Sequence, residues 1–159
     1  MGSFVFLTPS RCGNKHLEEL FRYFLKLSSP YAKIEVIHFG EEKVRDESPS
    51  MIEKALGKES ERIKKHLKED DRVFLLSEKG KVASTEVWSK EMSSWMQHPG
   101  RVVFVLGSAR GLHKSLFDDP KNKAIAIGSM TLQHELALVV WSEQLYRLLT
   151  LEVGKRYHY

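Results

Sequence analysis

Short runs of apolar residues recur along the chain, separated by longer segments in which apolar residues return every three or four positions. A run that is apolar at every position is typical of a strand buried on both faces, as in a parallel sheet. The sequence therefore predicts five strands, at residues 4–7, 34–39, 73–76, 101–106 and 125–127.

The longer segments predict four helices. The first carries apolar residues at helical spacing and ends near residues 28–30. Ser48 and Pro49 are typical of a cap and a first-turn proline that open the second helix, and Ser84 is a cap for the third. A last helix begins near residues 131–134 and is apolar almost all round. It must be buried on more than one side, either within the chain or against a second subunit.

Strands that alternate with helices at this spacing predict an α/β fold with a mostly parallel sheet and helices on both faces. A length of 159 residues with 42% hydrophobic content suits one domain, which we expect to span residues 1–159. No stretch has the length and apolar character of a membrane span, and the N-terminus lacks the pattern of a signal peptide. We therefore expect a cytoplasmic protein with no membrane contact.

Charge and cysteine content narrow the possible chemistry. The single cysteine, Cys12, can form no internal disulfide and has no second cysteine for a zinc or redox motif, so we expect an ordinary thiol and no metal site. The 25 basic residues exceed the 21 acidic ones only mildly, so charge permits an RNA partner without identifying one. Residues 8–13 do not fit a dinucleotide-binding turn, and the phosphate-loop, zinc-protease and serine-hydrolase motifs are absent from the sequence.

Two glycine turns are the candidate ligand loops. Residues 107–111 follow the fourth predicted strand and residues 128–131 follow the fifth, and α/β proteins bind ligands at such strand ends. A tight strand-to-helix connection is the simpler interpretation of the first turn, but Arg110 and His113 with the adjacent lysine favour an anionic partner. His134, in the first turn of the last helix, is either a polar group near a helix terminus or a functional imidazole.

Four motifs in the last third of the chain carry a family resemblance. Residues 103–113 read V-F-V-L-G-x-x-x-G-L-H, residues 130–134 read M-T-L-x-H, residues 143–147 read E-Q-L-Y-R, and Y-H follows at residues 157–158. This combination resembles the RlmH family of large-subunit ribosomal RNA pseudouridine methyltransferases, which is part of the SPOUT superfamily. The resemblance spans essentially the whole chain and is most specific in its last third.

The resemblance implies a C-terminal deep trefoil knot, a homodimer and S-adenosyl-L-methionine as the cofactor. The implied reaction is methyl transfer to N3 of a pseudouridine in large-subunit ribosomal RNA, within the assembled ribosome. The implied cofactor-binding residues follow the third, fourth and fifth strands: Leu76, Gly107, Ile127, Gly128, Ser129, Met130, Thr131 and Leu132. The implied catalytic residues are His134, as proton acceptor or orienting group, and Tyr157 and His158 as groups beside the RNA base.

The sequence departs from the pattern of this family at several positions. Ser108 and Gln133 stand where the family usually has glycine and proline, and Leu138 and Tyr159 stand where it usually has basic residues. Fewer basic groups weaken the expected contact with RNA phosphates. Two alternatives therefore stay open: a methyltransferase of another RNA position, such as a ribose 2′-hydroxyl, and a catalytically weak ribosome-binding protein. The lost basic residues favour the binding protein, whereas His134 favours an enzyme.

Overall fold

A computed structural model describes residues 1–157. Within them, five strands alternate with five helices. In chain order the elements are β1 (Ser3–Thr8), α1 (Lys15–Ser28), β2 (Lys33–His38), α2 (Pro49–His66), β3 (Arg72–Val82), α3 (Thr85–Met96), β4 (Val102–Leu106), α4 (Lys114–Asp118), β5 (Asn122–Ala126) and α5 (His134–Glu152). The five predicted strands and four predicted helices are confirmed, and the short helix α4 is additional.

The strands form one sheet in the order β2-β1-β4-β3-β5, and all neighbouring strands are parallel. Successive residues of β1 point to opposite faces, with Phe4 and Phe6 in one core cluster and Val5 and Leu7 in the other. Helices α1, α3 and α5 pack on the first face, and α2 and α4 pack on the second. The predicted α/β architecture is therefore confirmed, and the carboxyl ends of the strands lie along one edge of the sheet.

Aromatic residues fill the core between the sheet and helices α1, α3 and α5. Phe104 in β4 lies at the centre of this cluster, with ring centroids 5.3 Å from Trp141 and 5.9 Å from both Phe74 and Trp95. Large buried rings dominate core energetics, since each removes much apolar area from water. This packing holds α5 against β4, and so it fixes the segment that enters α5 at the carboxyl edge of the sheet.

Strand β3 is longer than predicted and is interrupted. Leu76 and Lys81 both pair with Ile125 of β5, so residues 77–80 loop out of the sheet at its carboxyl edge. Gly80 allows the chain to return, because a Cβ at this position would overlap the backbone of β5. The looped-out residues are mostly polar, which hides this part of the strand from an analysis of apolar runs.

Helices α3 and α5 each begin at a side-chain cap, whereas α2 does not. The side chain of Ser84 accepts a hydrogen bond from a backbone N–H in the first turn of α3, which confirms the predicted cap. Ser48 precedes α2 as predicted, but its side chain makes no capping hydrogen bond. Gln133 caps α5 by accepting a hydrogen bond from the Leu136 N–H at 2.8 Å. Helix α5 therefore begins at His134, as the sequence predicts to within a few residues.

A broad face of α5, eight of its 19 residues, is buried within the single chain, which confirms that this helix is covered on more than one side. Its buried residues are Leu138, Val139, Trp141, Ser142, Leu145, Leu148, Leu149 and Thr150. The largest exposed apolar side chain on the helix is Leu136, at 39%. The apolar character of α5 is therefore explained by the fold of one chain and does not by itself require a second subunit. Within the described part of the chain, no helix has the length and hydropathy needed to cross a membrane.

Candidate functional site

A cavity of about 520 Å³ opens at the carboxyl edge of the sheet. Its wall comes from the loop that interrupts β3 and from the segments that follow β4 and β5, within residues 76–79, 106–112 and 127–134. Ile125 of β5, Phe117 of α4 and Ala137 of α5 complete the wall. Open parallel sheets bind ligands at this edge, and small-molecule sites typically measure about 300–1,000 Å³. The cavity is therefore placed and sized for a small organic ligand.

Most of the residues predicted for the site converge on this cavity. Those that line it are Leu76, Gly107, Ile127, Gly128, Met130, Thr131, Leu132 and His134. Ser129 lies in the same loop but does not belong to the wall, and neither does Tyr157. His158 lies outside the described residues. The cavity thus brings together both glycine turns and the end of β3, which are far apart in sequence.

The first glycine turn is tight, whereas the second leaves open space. A Cβ at Gly107 would overlap the carbonyl oxygen of Gly111. Gly111 itself has a φ of 86°, in the left-handed region that favours glycine, and its N–H donates to the Ser108 carbonyl at 2.9 Å. A Cβ at Gly128 would meet no atom within 4 Å. The fold therefore requires Gly107, while Gly128 keeps the cavity wide.

A buried carboxylate supports the first glycine turn from behind. The Ser108 hydroxyl donates to Glu59 of α2 at 3.1 Å, and the Glu42 N–H donates to the other carboxylate oxygen at 3.0 Å. Ser108 and Glu59 are both 2% exposed. Burial raises the pKa of the Glu59 carboxyl above its usual range, because desolvation disfavours the charged form. Serine at position 108, a departure from the resembling family, thus has a structural role in this chain.

The basic groups around the first turn are engaged within the chain. Arg110 donates to Glu47 at 3.0 Å and also lies 3.9 Å from Glu41. His113 lies 2.8 Å from Glu53, and its Nδ1 accepts a hydrogen bond from a backbone N–H in the first turn of α4. Arg110 and His113 are therefore engaged with carboxylates of their own chain, whereas Arg110 Nε is buried without a hydrogen-bond partner among the described residues. That these basic groups favour an anionic partner stays a prediction.

A hydrogen bond joins two walls of the cavity. The Thr131 hydroxyl, in the segment after β5, donates to the carboxylate of Glu78 in the loop that interrupts β3. Both residues line the cavity and are exposed to solvent. Glu78 is the one acidic residue among the described residues of the wall. The Glu78 carboxylate therefore lies at the mouth of the cavity, and its hydrogen-bond partner, the Thr131 hydroxyl, carries no charge.

His134 lies at the cavity as the first residue of α5, with its neighbour Glu135 anchoring a second loop. The carboxylate of Glu135 accepts hydrogen bonds from the N–H groups of Gly13 at 2.8 Å and Asn14 at 3.2 Å. His134 Nε2 lies 3.9 Å from the same carboxylate. Burial and the nearby Glu135 raise the pKa of the Cys12 thiol in this loop to about 12, so the thiol stays protonated at neutral pH.

Tyr157 packs on α5 and does not line the cavity of its own chain. The Tyr157 ring lies edge-on to Tyr146 with centroids 4.7 Å apart, and the Arg147 guanidinium lies 4.7 Å from the Tyr157 ring centroid. Arg147 also donates to the Tyr157 carbonyl at 3.1 Å and to Glu143 at 2.6 Å. The burial of Tyr157 raises the pKa of its phenol. The structure therefore does not bring Tyr157 and His134 together within one chain.

Two further observations bear on substrate and cofactor. Leu138 is 2% exposed and belongs to the aromatic core, so a charged side chain at this position would be desolvated. The described residues contain no group of three or more histidine, cysteine, aspartate or glutamate side chains able to hold a metal ion. The cavity itself combines apolar side chains, backbone groups of glycine turns and hydroxyls, which suits a nucleoside-like ligand.

Three acidic residues that position the site are not predicted from the sequence. Glu59, Glu78 and Glu135 each contact a loop of the cavity or the loop beside it. Each stands among other charged or polar residues, and a solvated helix face or loop is the usual interpretation of such a residue. The available signal for Glu59 was its place among the buried positions of α2, which the helical periodicity could have indicated.

Comparison with known proteins finds similarity over nearly the full chain. The family described as "Predicted SPOUT methyltransferase" matches residues 4–158. A relative from Methanococcus maripaludis, named "Putative ribosomal RNA large subunit methyltransferase H", is 32% identical over 155 residues, which is 96% of this chain and 96% of the relative. The match therefore includes all three segments that form the cavity.

Proposed function

The chain belongs to the SPOUT methyltransferase family, and on this premise we propose that it transfers a methyl group from S-adenosyl-L-methionine to N3 of a pseudouridine in large-subunit ribosomal RNA. The relative's name supports a large-subunit ribosomal RNA substrate. The observation that carries the proposal is the cavity, because it is built from the segments that the family resemblance assigns to the cofactor.

The cavity fits S-adenosylmethionine in chemistry as well as in volume. Leu76, Ile127 and Leu132 offer apolar surface for a flat base, and the glycine turns offer backbone groups for hydrogen bonds. Gly128 leaves open space where any side chain would narrow the cavity. Ser129 completes the loop beside the wall, where its backbone can contribute to the same site.

The protein's task in this reaction is to align the target and to remove a proton. Bound S-adenosylmethionine supplies an activated methyl group, so little covalent chemistry is required of the side chains. His134 lies at the cavity and is the imidazole that we assign to orient N3 or accept its proton. Glu135 contacts both His134 and the Gly13 N–H, so the loop of residues 12–14 lies beside His134.

We further propose a homodimer, in which the tail of one subunit completes the cavity of the other. In its own chain Tyr157 packs on α5 away from the cavity wall, so the proposed role of Tyr157 and His158 at the RNA base requires a second subunit. A trefoil knot is proposed for the same family reason.

Methylation of isolated ribosomes tests the proposal. Ribosomes from cells that lack the protein are incubated with the purified protein and labelled S-adenosylmethionine, and the large-subunit RNA is digested for nucleoside mass mapping. We expect one new N3-methylpseudouridine, lost in a His134→Ala variant. A ribose-methylated nucleoside would replace the proposed target with the 2′-hydroxyl. Ribosome binding without cofactor binding or transfer would overturn the proposal in favour of a ribosome-binding protein.

A further inference from the structure

The loop that interrupts β3 places one acidic side chain at the cavity. Leu76 and Lys81 pair with the same residue of β5, so residues 77–80 have to leave the sheet at the carboxyl edge. The close approach of Gly80 to β5 fixes where this loop returns. Glu78 lies in the loop and lines the cavity together with residues of both glycine turns.

The charge of Glu78 is not matched by a cation of the described chain. Its hydrogen-bond partner is the neutral hydroxyl of Thr131, which fixes the carboxylate without neutralising it. The basic residue Arg110 also lines the cavity, but it is paired with Glu47 and Glu41. Among the described residues, the wall therefore has one carboxylate that forms no ion pair, one guanidinium whose charge is compensated, and the ammonium of Lys79, which also forms no ion pair.

We infer that the Glu78 carboxylate recognises a positively charged group of the ligand in this cavity, an inference that rests on the proposed function. Opposite charges a few ångströms apart attract, and the attraction is stronger at a partly enclosed site than in bulk water. S-adenosylmethionine has two such groups, the sulfonium and the α-ammonium. Its demethylated product S-adenosylhomocysteine keeps only the ammonium, so contact with the sulfonium makes the site prefer substrate to product.

Three ligands of graded charge test the inference in one experiment. Isothermal titration of the full chain and of Glu78→Gln measures the affinity for S-adenosylmethionine, S-adenosylhomocysteine and 5′-methylthioadenosine, which has neither cationic group. Glutamine keeps the shape of the side chain and removes its charge. We expect Glu78→Gln to lower the affinity for S-adenosylmethionine by about threefold to tenfold and to change the affinity for 5′-methylthioadenosine by no more than about twofold.

The affinity for the product S-adenosylhomocysteine shows which cationic group Glu78 recognises. An unchanged affinity for S-adenosylhomocysteine identifies the sulfonium, and an equal loss for substrate and product identifies the ammonium. Glu61→Gln, the same charge change on an exposed residue of α2 that is not part of the wall, serves as the matched control and should change none of the three affinities.

Two results would overturn the inference. One is an equal loss for all three ligands, which would make Glu78 a residue that only holds the loop through Thr131. The other is no loss for any of them. Failure of the proposed cofactor assignment gives a different result, since the parent protein would then bind none of the three ligands. Thermal unfolding of each variant confirms that the fold is retained.

Discussion

Residues 127–134 lead into α5 and line the cavity, whereas residues 155–157 leave α5 and fold back on its surface. The first region is held by backbone geometry: strand pairing, tight turns and a cap on the helix. The second is held mainly by side chains: Arg147 and Tyr146 contact Tyr157, and Lys155 donates to the Tyr31 hydroxyl, with one backbone hydrogen bond from the Lys155 N–H to the Thr150 carbonyl. Residues at the two ends of the same helix are therefore fixed by different kinds of interaction.

This difference determines how each region can act. Backbone-defined walls are rigid, and an altered backbone position changes the cavity directly. Half-exposed cation–π and aromatic contacts are worth only about 0.5–1.5 kcal/mol each, so a tail held by them can be displaced at small cost. The cavity is thus suited to hold a ligand in one geometry, and the tail is suited to move towards a second subunit.

The largest effect is expected for Gly107→Val. The new Cβ would overlap the Gly111 carbonyl, so the turn has to open, which we expect to lower the free energy of unfolding by about 3 kcal/mol and to abolish measurable binding of S-adenosylhomocysteine. Gly128→Ala is the matched control, because its Cβ meets no protein atom. It should leave stability unchanged and only weaken binding. Urea unfolding and isothermal titration measure both quantities, and tight binding by Gly107→Val would show that the cavity is not fixed by its backbone.

A second large effect, on methyl transfer alone, is expected at His134 and in the tail. We expect His134→Ala and a chain ending at Arg156 to lose about 100-fold or more in methyl transfer to ribosomes. The affinity for S-adenosylmethionine should change by no more than about twofold in either variant, because the His134 imidazole and the tail are proposed to act on the RNA base and not on the cofactor. Transfer and affinity are measured separately. Unchanged methyl transfer by the shortened chain would show that the tail is not part of the site. It would contradict the proposal that the cavity binds the cofactor while the tail acts on the RNA base.

The sequence predicts the cavity better than the tail, and the reason is physical. Strands buried on both faces are continuous apolar runs, so the end of β4, and with it Gly107, can be located without a structure, as can the buried part of β3 up to Leu76. The sheet order and the loop that interrupts β3 could not be predicted, because they depend on pairing between distant segments. The short helix α4 was missed since five residues are too few for a helical period.

The packing of Tyr157 and the roles of Leu138 and Ser108, by contrast, could not be predicted from the sequence. No pattern in the sequence indicates where residues after a helix pack, and Tyr157 lies on α5 through side-chain contacts that only the folded chain creates. Leu138 was interpreted as a lost RNA contact, but it is a core residue in this chain. Ser108 likewise gained its explanation only from the buried Glu59 beside it. Homodimer, knot and catalytic roles stay predictions.

An intermediate effect is expected for the carboxylate behind the glycine turn. Ser108→Ala removes one donor to the buried Glu59 and should lower the free energy of unfolding by about 1–2 kcal/mol at neutral pH. Burial raises the pKa of Glu59, so the folded state favours the protonated form. The parent should therefore gain stability relative to Glu59→Gln as pH falls from neutral towards the ordinary glutamate pKa, and no further below it. Urea unfolding at several pH values checks this, and a pH-independent difference would contradict the assignment.

The smallest effect is expected for Tyr157→Leu in the ligand-free protein. Leucine keeps apolar contact with Tyr146 but loses both the edge-on ring contact with Tyr146 and the cation–π contact with Arg147, so two weak, half-exposed interactions disappear. We expect a loss of no more than about 2 kcal/mol in the free energy of unfolding, measured by urea denaturation at one fixed protein concentration. The paired Glu143 continues to hold Arg147, which limits any wider change. A loss of several kcal/mol would mean that the tail is built into the fold as firmly as the cavity, and a tail of that kind could not leave α5 to serve a second subunit.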